Sequence, residues 1–224
     1  MLHQKHISTK LFRKLQSRLS NQGMSDKIKV ADYRKGDSIY HEGDTPKCVY
    51  FMKYGWAKIC RYAPDGEEVV LQVIGHNQMF GHADVLSGTA YKSSAVAIEY
   101  CETYLISKRH FLEMFSSDHE FSRLIVQMLT EEIWQAQEHI ETLHDKNIDR
   151  RMASLLLGLD TALAENGSPA LIEIPKKDLA NIINVSAETF SRYLSKFVQK
   201  GWIDLGNRTI KVLHKDKLSS LIKD

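Results

Sequence analysis

The chain of 224 residues has only three cysteines, Cys48, Cys60 and Cys101, far apart and without paired spacing. This excludes a disulfide framework or a cysteine zinc site and points to buried thiols in a reducing compartment. No stretch approaches the roughly 20 consecutive apolar residues that cross a bilayer. The N-terminus also lacks the apolar core of a secretory signal; Leu11, Phe12, Leu15 and Leu19 fall at helical spacing among basic residues and predict a leading helix packed on the next segment. A cytoplasmic protein without membrane association is expected. There is no tight His-x-His pair, nucleophile–base pair or metal-ligand triad, so an enzyme is not expected. His3 and His6 could chelate a metal on one helix face, but a mobile terminus is the default.

What is present suits a globular protein of two domains: 43% hydrophobic and 26% charged residues. The net charge of +2 is uninformative, but its distribution is not. Residues 1–145 carry a net −2 and residues 146–224 a net +4, so the positive charge gathers at one end.

That end contains Pro175 to Gly201, which reads as two short helices joined by a tight turn. Leu179, Ile182 and Ile183 recur at helical spacing, with Ala180 small enough for close approach and Pro175 before the first turn. Asn184 suits a turn at positive φ, Ser186 a helix cap and Gly201 a left-handed helix end. Phe190, Leu194, Phe197 and Val198 form a buried stripe on the second helix, opposite Ala187, Glu188, Ser191, Arg192, Ser195 and Lys196. A helix-turn-helix of this kind places the N-terminal end of its second helix in the DNA major groove. Arg192 can pair with guanine O6 and N7, and Glu188 can accept from cytosine N4. The bland alternative is a helical hairpin whose polar face is only solvated. Residues 202–213 then form two short β-type runs around Gly206-Asn207, a hairpin that makes the motif a winged helix. Lys176, Ser186, Ala187, Glu188, Ser191, Arg192, Lys196 and Arg208 are the candidate contacts to double-stranded DNA.

Ser186, Glu188, Thr189 and Arg192 match a Ser cap followed by a Glu-Thr-x-x-Arg core, in which the chain resembles the CRP/FNR family of bacterial transcription regulators. The resemblance covers nearly the whole chain. Glu188-x-x-Ser191-Arg192 is similar to the FNR branch, which implies TTGA-type half-sites, with Arg192 at the guanine, Glu188 near it on the complementary strand and Ser191 at a thymine. Ala187 replaces an arginine of the branch that prefers TGTGA. RNA polymerase is the further partner the resemblance implies.

Between Val30 and Lys108, β-type runs at Ser38–Tyr40, Cys48–Lys53, Ala57–Tyr62, Glu68–Ile74, Ser94–Ile98 and Thr103–Ile106 alternate with glycine turns. This spacing predicts a sandwich or jelly roll. The block resembles the family's cyclic-nucleotide-binding β-roll, including its Gly36-Asp37, Glu42-Gly43-Asp44 and Pro64-Asp65-Gly66 turns. The implied effector pocket is Gly81, His82, Ala83, Asp84, Ser93 and Ser94. His82 stands where the family has the ribose-binding Glu, and Ser93 where it has the phosphate-binding Arg. Without that charge-assisted fork cyclic AMP is not expected to bind, and the effector is unknown. His76, Met79 and His82 invite a haem reading, outweighed by chance clustering of ten histidines. No cysteine precedes Cys48, so the FNR-type iron–sulfur cluster is not expected.

Ser117 to Thr142 contains no Pro or Gly and predicts one long helix, capped by Ser117 or Asp118. The family resemblance implies a parallel homodimer along it, with Leu124, Met128, Ile133, Gln135 and Leu143 at the interface. Dimerisation suits recognition helices that must reach half-sites about 34 Å apart. Residues 146–150 read as a hinge, followed by a helix from Arg151 to Ala164, a loop at Asn166–Pro169 and a short strand at Leu171–Ile174. The expected fold is α+β: a cyclic-nucleotide-binding-like β-roll (jelly roll) over residues 1–116, a dimerisation helix and hinge over 117–146, and a winged helix-turn-helix over 147–224. The alternatives are a haem-dependent gas or redox sensor of the same family, a ligand-binding module regulating a partner protein, or an enzyme on the jelly roll.

Overall fold

A computed structural model of the chain describes residues 7, 10–14, 17, 28–163, 171, 172, 174–206 and 209–223. They fall into two compact units, divided between Glu131 and Glu132, inside a helix.

The first unit holds two antiparallel four-stranded sheets. One has the order β1-β8-β3-β6, built from Ile28–Tyr33 (β1), Cys101–Ser107 (β8), Cys48–Tyr54 (β3) and Met79–Phe80 (β6). The other has the order β2-β7-β4-β5, from Ser38–Tyr40 (β2), Ser94–Ala97 (β7), Ala57–Tyr62 (β4) and Glu68–Ile74 (β5). His82–Ser87 (α1), Lys108–Ser117 (α2) and the start of His119–His144 (α3) complete the unit. β1, β6 and α2 are additions to the sequence reading. β1 has no clean alternation, with Lys29 and Val30 both exposed, and β6 is too short to show any.

Strand β3 explains the layering. Successive side chains leave a strand on opposite faces, and β3 is buried on both. Val49 and Phe51 join a core with Leu11, Phe12, Phe111, Phe121 and Ile125 from the helices. Tyr50 and Met52 join a second core with Phe80 from the neighbouring strand β6 and Ile39, Ile59, Ile74 and Ala95 from the facing sheet. The first sheet is therefore the middle layer, with helices on one face and the second sheet on the other. Leu11 and Phe12 confirm that the leading helix packs on this unit, while Leu15, Leu19, His3 and His6 lie outside the described residues.

Asp118 caps α3, its Oδ1 accepting from the Phe121 N–H at 3.0 Å. The apolar residues of α3 do not share one face. Leu124 and Met128, expected at a dimer interface, are 6% and 1% exposed and sit in the unit's own core beside Phe121 and Ile125. This corrects the sequence reading, which could not tell one apolar stripe from two. Ile133, by contrast, is 58% exposed, and Val126, Trp134, Ile140 and Leu143 are exposed with it; Gln135 is half-buried.

The second unit contains Ile148–Leu163 (α4), Leu171–Ile172 (β9), Lys176–Ile182 (α5), Ala187–Gln199 (α6), Ile203–Leu205 (β10), Ile210–Val212 (β11) and Lys215–Lys223 (α7). Its antiparallel sheet has the order β10-β11-β9. The core is Met152, Leu156, Ile172, Leu179, Ile183, Phe190, Leu194, Phe197, Ile203, Ile210, Val212 and Leu218. Helix α7 was not anticipated; it packs on α4, and Lys215 reaches the fully buried Asp160 at 2.5 Å. The hinge shrinks to residues 145–147, because α4 begins at Ile148, not at Arg151. Asn147 starts it early, its side chain accepting from the Asp149 N–H at 3.0 Å. The loop at Asn166–Pro169 lies outside the described residues.

Candidate nucleic-acid interface and effector pocket

Helices α5 and α6 form the expected helix-turn-helix, and its local geometry follows from single residues. Asn184 takes φ 51°, and the Val185 N–H returns to the Ala180 carbonyl at 3.1 Å. Arg151, from α4, donates to the Ile183 carbonyl at 2.7 Å. A guanidinium there satisfies an otherwise orphaned carbonyl at the end of α5. Its role was not readable from sequence, since 32 residues separate donor and acceptor.

Ser186 caps α6, its Oγ accepting from the Thr189 N–H at 3.1 Å. At the other end Gly201 has φ 69°; its N–H reaches the Val198 carbonyl at 2.8 Å, and the Trp202 N–H reaches Phe197 at 3.0 Å. That paired arrangement is a Schellman ending, which needs a residue at ease with positive φ. Phe190, Leu194 and Phe197 are buried. Val198, expected in the same stripe, is 37% exposed because it lies a step beyond the buried face.

Ala187, Glu188, Ser191, Arg192 and Ser195 are all exposed on the opposite face, and Lys176 is exposed at the start of α5. Hydrogen bonds from its own N–H and from the Ser186 hydroxyl hold the Glu188 carboxyl below the usual carboxylate range. It therefore stays an ionised acceptor at neutral pH. Lys196 departs from the expectation of a DNA contact: its Nζ meets Asp149 Oδ2 at 2.6 Å and Oδ1 at 2.9 Å. An ammonium held by both oxygens of a carboxylate is not a free phosphate donor. Arg208 and Asn207 lie outside the described residues; the Gly206 N–H donates to the Thr209 carbonyl at 2.9 Å.

In the first unit, the expected pocket residues come together at the start of α1. Gly81 precedes this helix at φ 73°, His82, Ser93 and Ser94 are buried, Asp84 is half-buried and Ala83 is exposed. The space beside Gly81 is filled by aromatic rings. Tyr40 and Tyr91 stack with centroids 3.8 Å apart, and Tyr50 stacks on Phe80 at 5.1 Å. A Cβ at Gly81 would already lie 3.4 Å from the Tyr50 and Tyr91 rings and 3.6 Å from Tyr40. The Tyr91 hydroxyl donates to the Cys48 carbonyl at 2.8 Å, and Ser94 Oγ accepts from the Glu42 N–H at 3.0 Å. Burial pushes the Tyr40, Tyr50 and Tyr91 hydroxyls well above their ordinary value, so they stay neutral. Burial likewise raises the Asp84 carboxyl. These residues do not fit a cyclic nucleotide: its phosphate partner is missing, and rings occupy the adjoining space. The aromatic cluster was not readable from the sequence.

The residues considered for haem have structural partners. His76 Nδ1 lies 2.7 Å from the Lys53 carbonyl and its ring meets Phe12 edge-on, while Met79 is buried in the first core. Among the described residues, no group of three His, Cys, Asp or Glu side chains is placed to hold a metal. Burial raises the Cys60 and Cys101 thiols to about 11, which keeps them protonated and unreactive at neutral pH.

Residues 30–118 match the family model for the cyclic nucleotide-binding domain, and residues 150–221 match that for the Crp-like helix-turn-helix domain. The two matched segments occur in this order, on the β-roll and on the winged helix respectively. The chain belongs to the CRP/FNR family. Its relatives fall in both branches of that family. The CRP-like cAMP-activated global transcriptional regulator of Mycobacterium tuberculosis is 23% identical, covering 88% of this chain and 89% of its own. The fumarate and nitrate reduction regulatory protein of Vibrio cholerae is 24% identical over 84% of this chain and 76% of its own. The structure of FixK2 from Bradyrhizobium japonicum shares the fold with a TM-score of 0.79 and 24% identity, covering 87% of this chain and 96% of FixK2. Like its CRP/FNR relatives, the chain is a DNA-binding transcription regulator and not an enzyme.

Proposed function

We propose that this CRP/FNR regulator acts as a homodimer on a palindrome of TTGA-type half-sites and binds it without cyclic AMP. The observation that carries the reading is the exposed trio Glu188, Ser191 and Arg192 on the first turns of a helix capped by Ser186. A carboxylate acceptor, a hydroxyl and a guanidinium fork there supply groups for cytosine N4, thymine and guanine O6/N7 respectively. The β-roll is the sensing unit, the long helix the dimer element, and the winged helix the DNA reader. RNA polymerase is the expected protein partner and the cytoplasm the expected location.

A self-complementary seam supports the dimer. Val126, Leu129, Ile133, Ala136, Ile140 and Leu143 follow alternating spacings of three and four along α3, the a/d pattern of a coiled coil. The β-branched Val126, Ile133 and Ile140 hold the a positions and Leu129 and Leu143 two of the d positions, a combination that in a parallel coiled coil favours two strands. Val126, Ile133 and Ile140 are exposed in the single chain.

The named cyclic-AMP-activated relative does not carry its ligand over to this chain. Ser93 replaces the phosphate arginine, and the Tyr40–Tyr91 stack adjoins Gly81. Calorimetric titration with cyclic AMP is expected to give no saturable heat; a micromolar isotherm would overturn this part of the proposal.

Fluorescence anisotropy of ligand-free protein on a palindromic TTGA-type duplex tests the whole reading, with TGTGA-type and scrambled duplexes at the same fixed salt. Selective binding with two chains per duplex is expected. Binding no tighter than to the scrambled duplex would sink it.

A further inference from the structure

The pairing of Lys196 has a consequence for how the recognition helix discriminates. Asp149 lies in the first turn of α4, directly after the break at residues 145–147. Both its oxygens hold Lys196 Nζ, at 2.6 and 2.9 Å, with side-chain exposures of 21% for Asp149 and 44% for Lys196. The same ammonium sits 5.2 Å from the centroid of the Tyr193 ring. On that ring, 5.6 Å from its centroid, lies the guanidinium carbon of Arg192. Asp149, Lys196, Tyr193 and Arg192 thus form one chain of contacts from the start of α4 to the arginine of the base-reading trio.

We infer that Asp149 is a specificity-determining residue: it withholds Lys196 from the DNA backbone and, through Lys196 and Tyr193, positions Arg192. The inference rests on the proposed base-reading role of Arg192. A free lysine on a groove-facing helix adds affinity for every sequence alike, because each phosphate it neutralises releases condensed counterions. A lysine fixed by a carboxylate contributes little of that sequence-independent binding. Its ammonium instead lies near the Tyr193 ring, as the Arg192 guanidinium does, and the attraction of both cations to one ring narrows the positions open to the ring and to Arg192. Asp149 acts through other residues and is a positioning residue, not a contact.

Asp149→Asn removes the charge and keeps the shape and the helix start. Measured by anisotropy against salt, D149N is expected to bind the scrambled duplex about fivefold tighter at about 0.15 M salt, the gain from one additional phosphate contact. Its slope of log K against log salt steepens by about one unit, and its preference for the palindrome over the scrambled duplex falls. Asp149→Glu retains the native slope and preference. Lys196→Gln, with Asp149 intact, leaves the slope on scrambled DNA unchanged, and it returns the D149N slope to the native value when combined with it. A purely structural role for Asp149 lowers the active fraction without moving the slope. An unchanged slope and preference in D149N overturns the inference, and so does a slope shallower by about one unit in K196Q, which would make Lys196 a phosphate contact in the native protein. Should D149N not fold, K196Q alone decides. If the native protein itself prefers no palindrome, the base-reading proposal fails first; a native preference with an unaltered D149N slope fails this inference alone.

Discussion

Arg192→Ala is expected to weaken binding to the specific palindrome by about 1–3 kcal/mol while leaving binding to scrambled DNA nearly unchanged. The expectation follows from position and chemistry together. Arg192 is exposed on the first half of α6, so truncating it opens no cavity and leaves Phe190, Leu194 and Phe197 in place. What is removed is a planar fork with two parallel donors, matched to guanine O6 and N7 and to no other base edge in the major groove. Parallel titrations of both duplexes across several salt concentrations check it. A loss of equal size on scrambled DNA, with a salt slope reduced by about one unit, would make Arg192 a phosphate contact. Substituting the paired guanine should remove most of the difference between Arg192→Ala and native protein, because both then lack the same partner.

Phe197→Ala should destabilise the winged-helix unit by roughly 3–5 kcal/mol, the range for emptying a buried aromatic site. Phe197 is completely buried, its ring lies 5.4 Å from that of Trp202, and its carbonyl accepts from the Trp202 N–H at 3.0 Å. The side chain therefore packs the recognition helix against Trp202, the residue before the first strand of the wing, and neighbours would have to move to fill the space. Thermal unfolding followed by circular dichroism is the measurement. Phe197→Leu keeps most of the volume and should cost far less. A cost for Phe197→Ala below about 1 kcal/mol would mean that the site collapses freely and is not the closely packed core described here.

The recognition module was legible from sequence because its signals are local. A serine three residues before the N–H that it caps, an asparagine at a turn and a glycine at a helix end each act over a few residues, and each appears where expected at Ser186, Asn184 and Gly201. Strands β4 and β5 were read with their observed limits, Ala57–Tyr62 and Glu68–Ile74, because glycines or a Pro-Asp-Gly turn bound them. Helix α7 was missed for the opposite reason. Its only fully buried described side chain is Leu218, and a short helix with one anchor shows little periodicity.

From the sequence alone came the order of the modules and the exposed polar face of the recognition helix. These depend on residue identity and short-range spacing. Tertiary structure alone decided the questions that turn on residues distant in the chain. Leu124 and Met128 belong to the protomer's own core, while Ile133 and Ile140 remain exposed, because the β-roll covers one side of a helix that is apolar on more than one side. Tyr40 stacks on Tyr91, and Lys196 finds Asp149 at a separation of 47 residues. A side chain's partner across such a distance is set by how the elements pack, and neither composition nor periodicity records that packing.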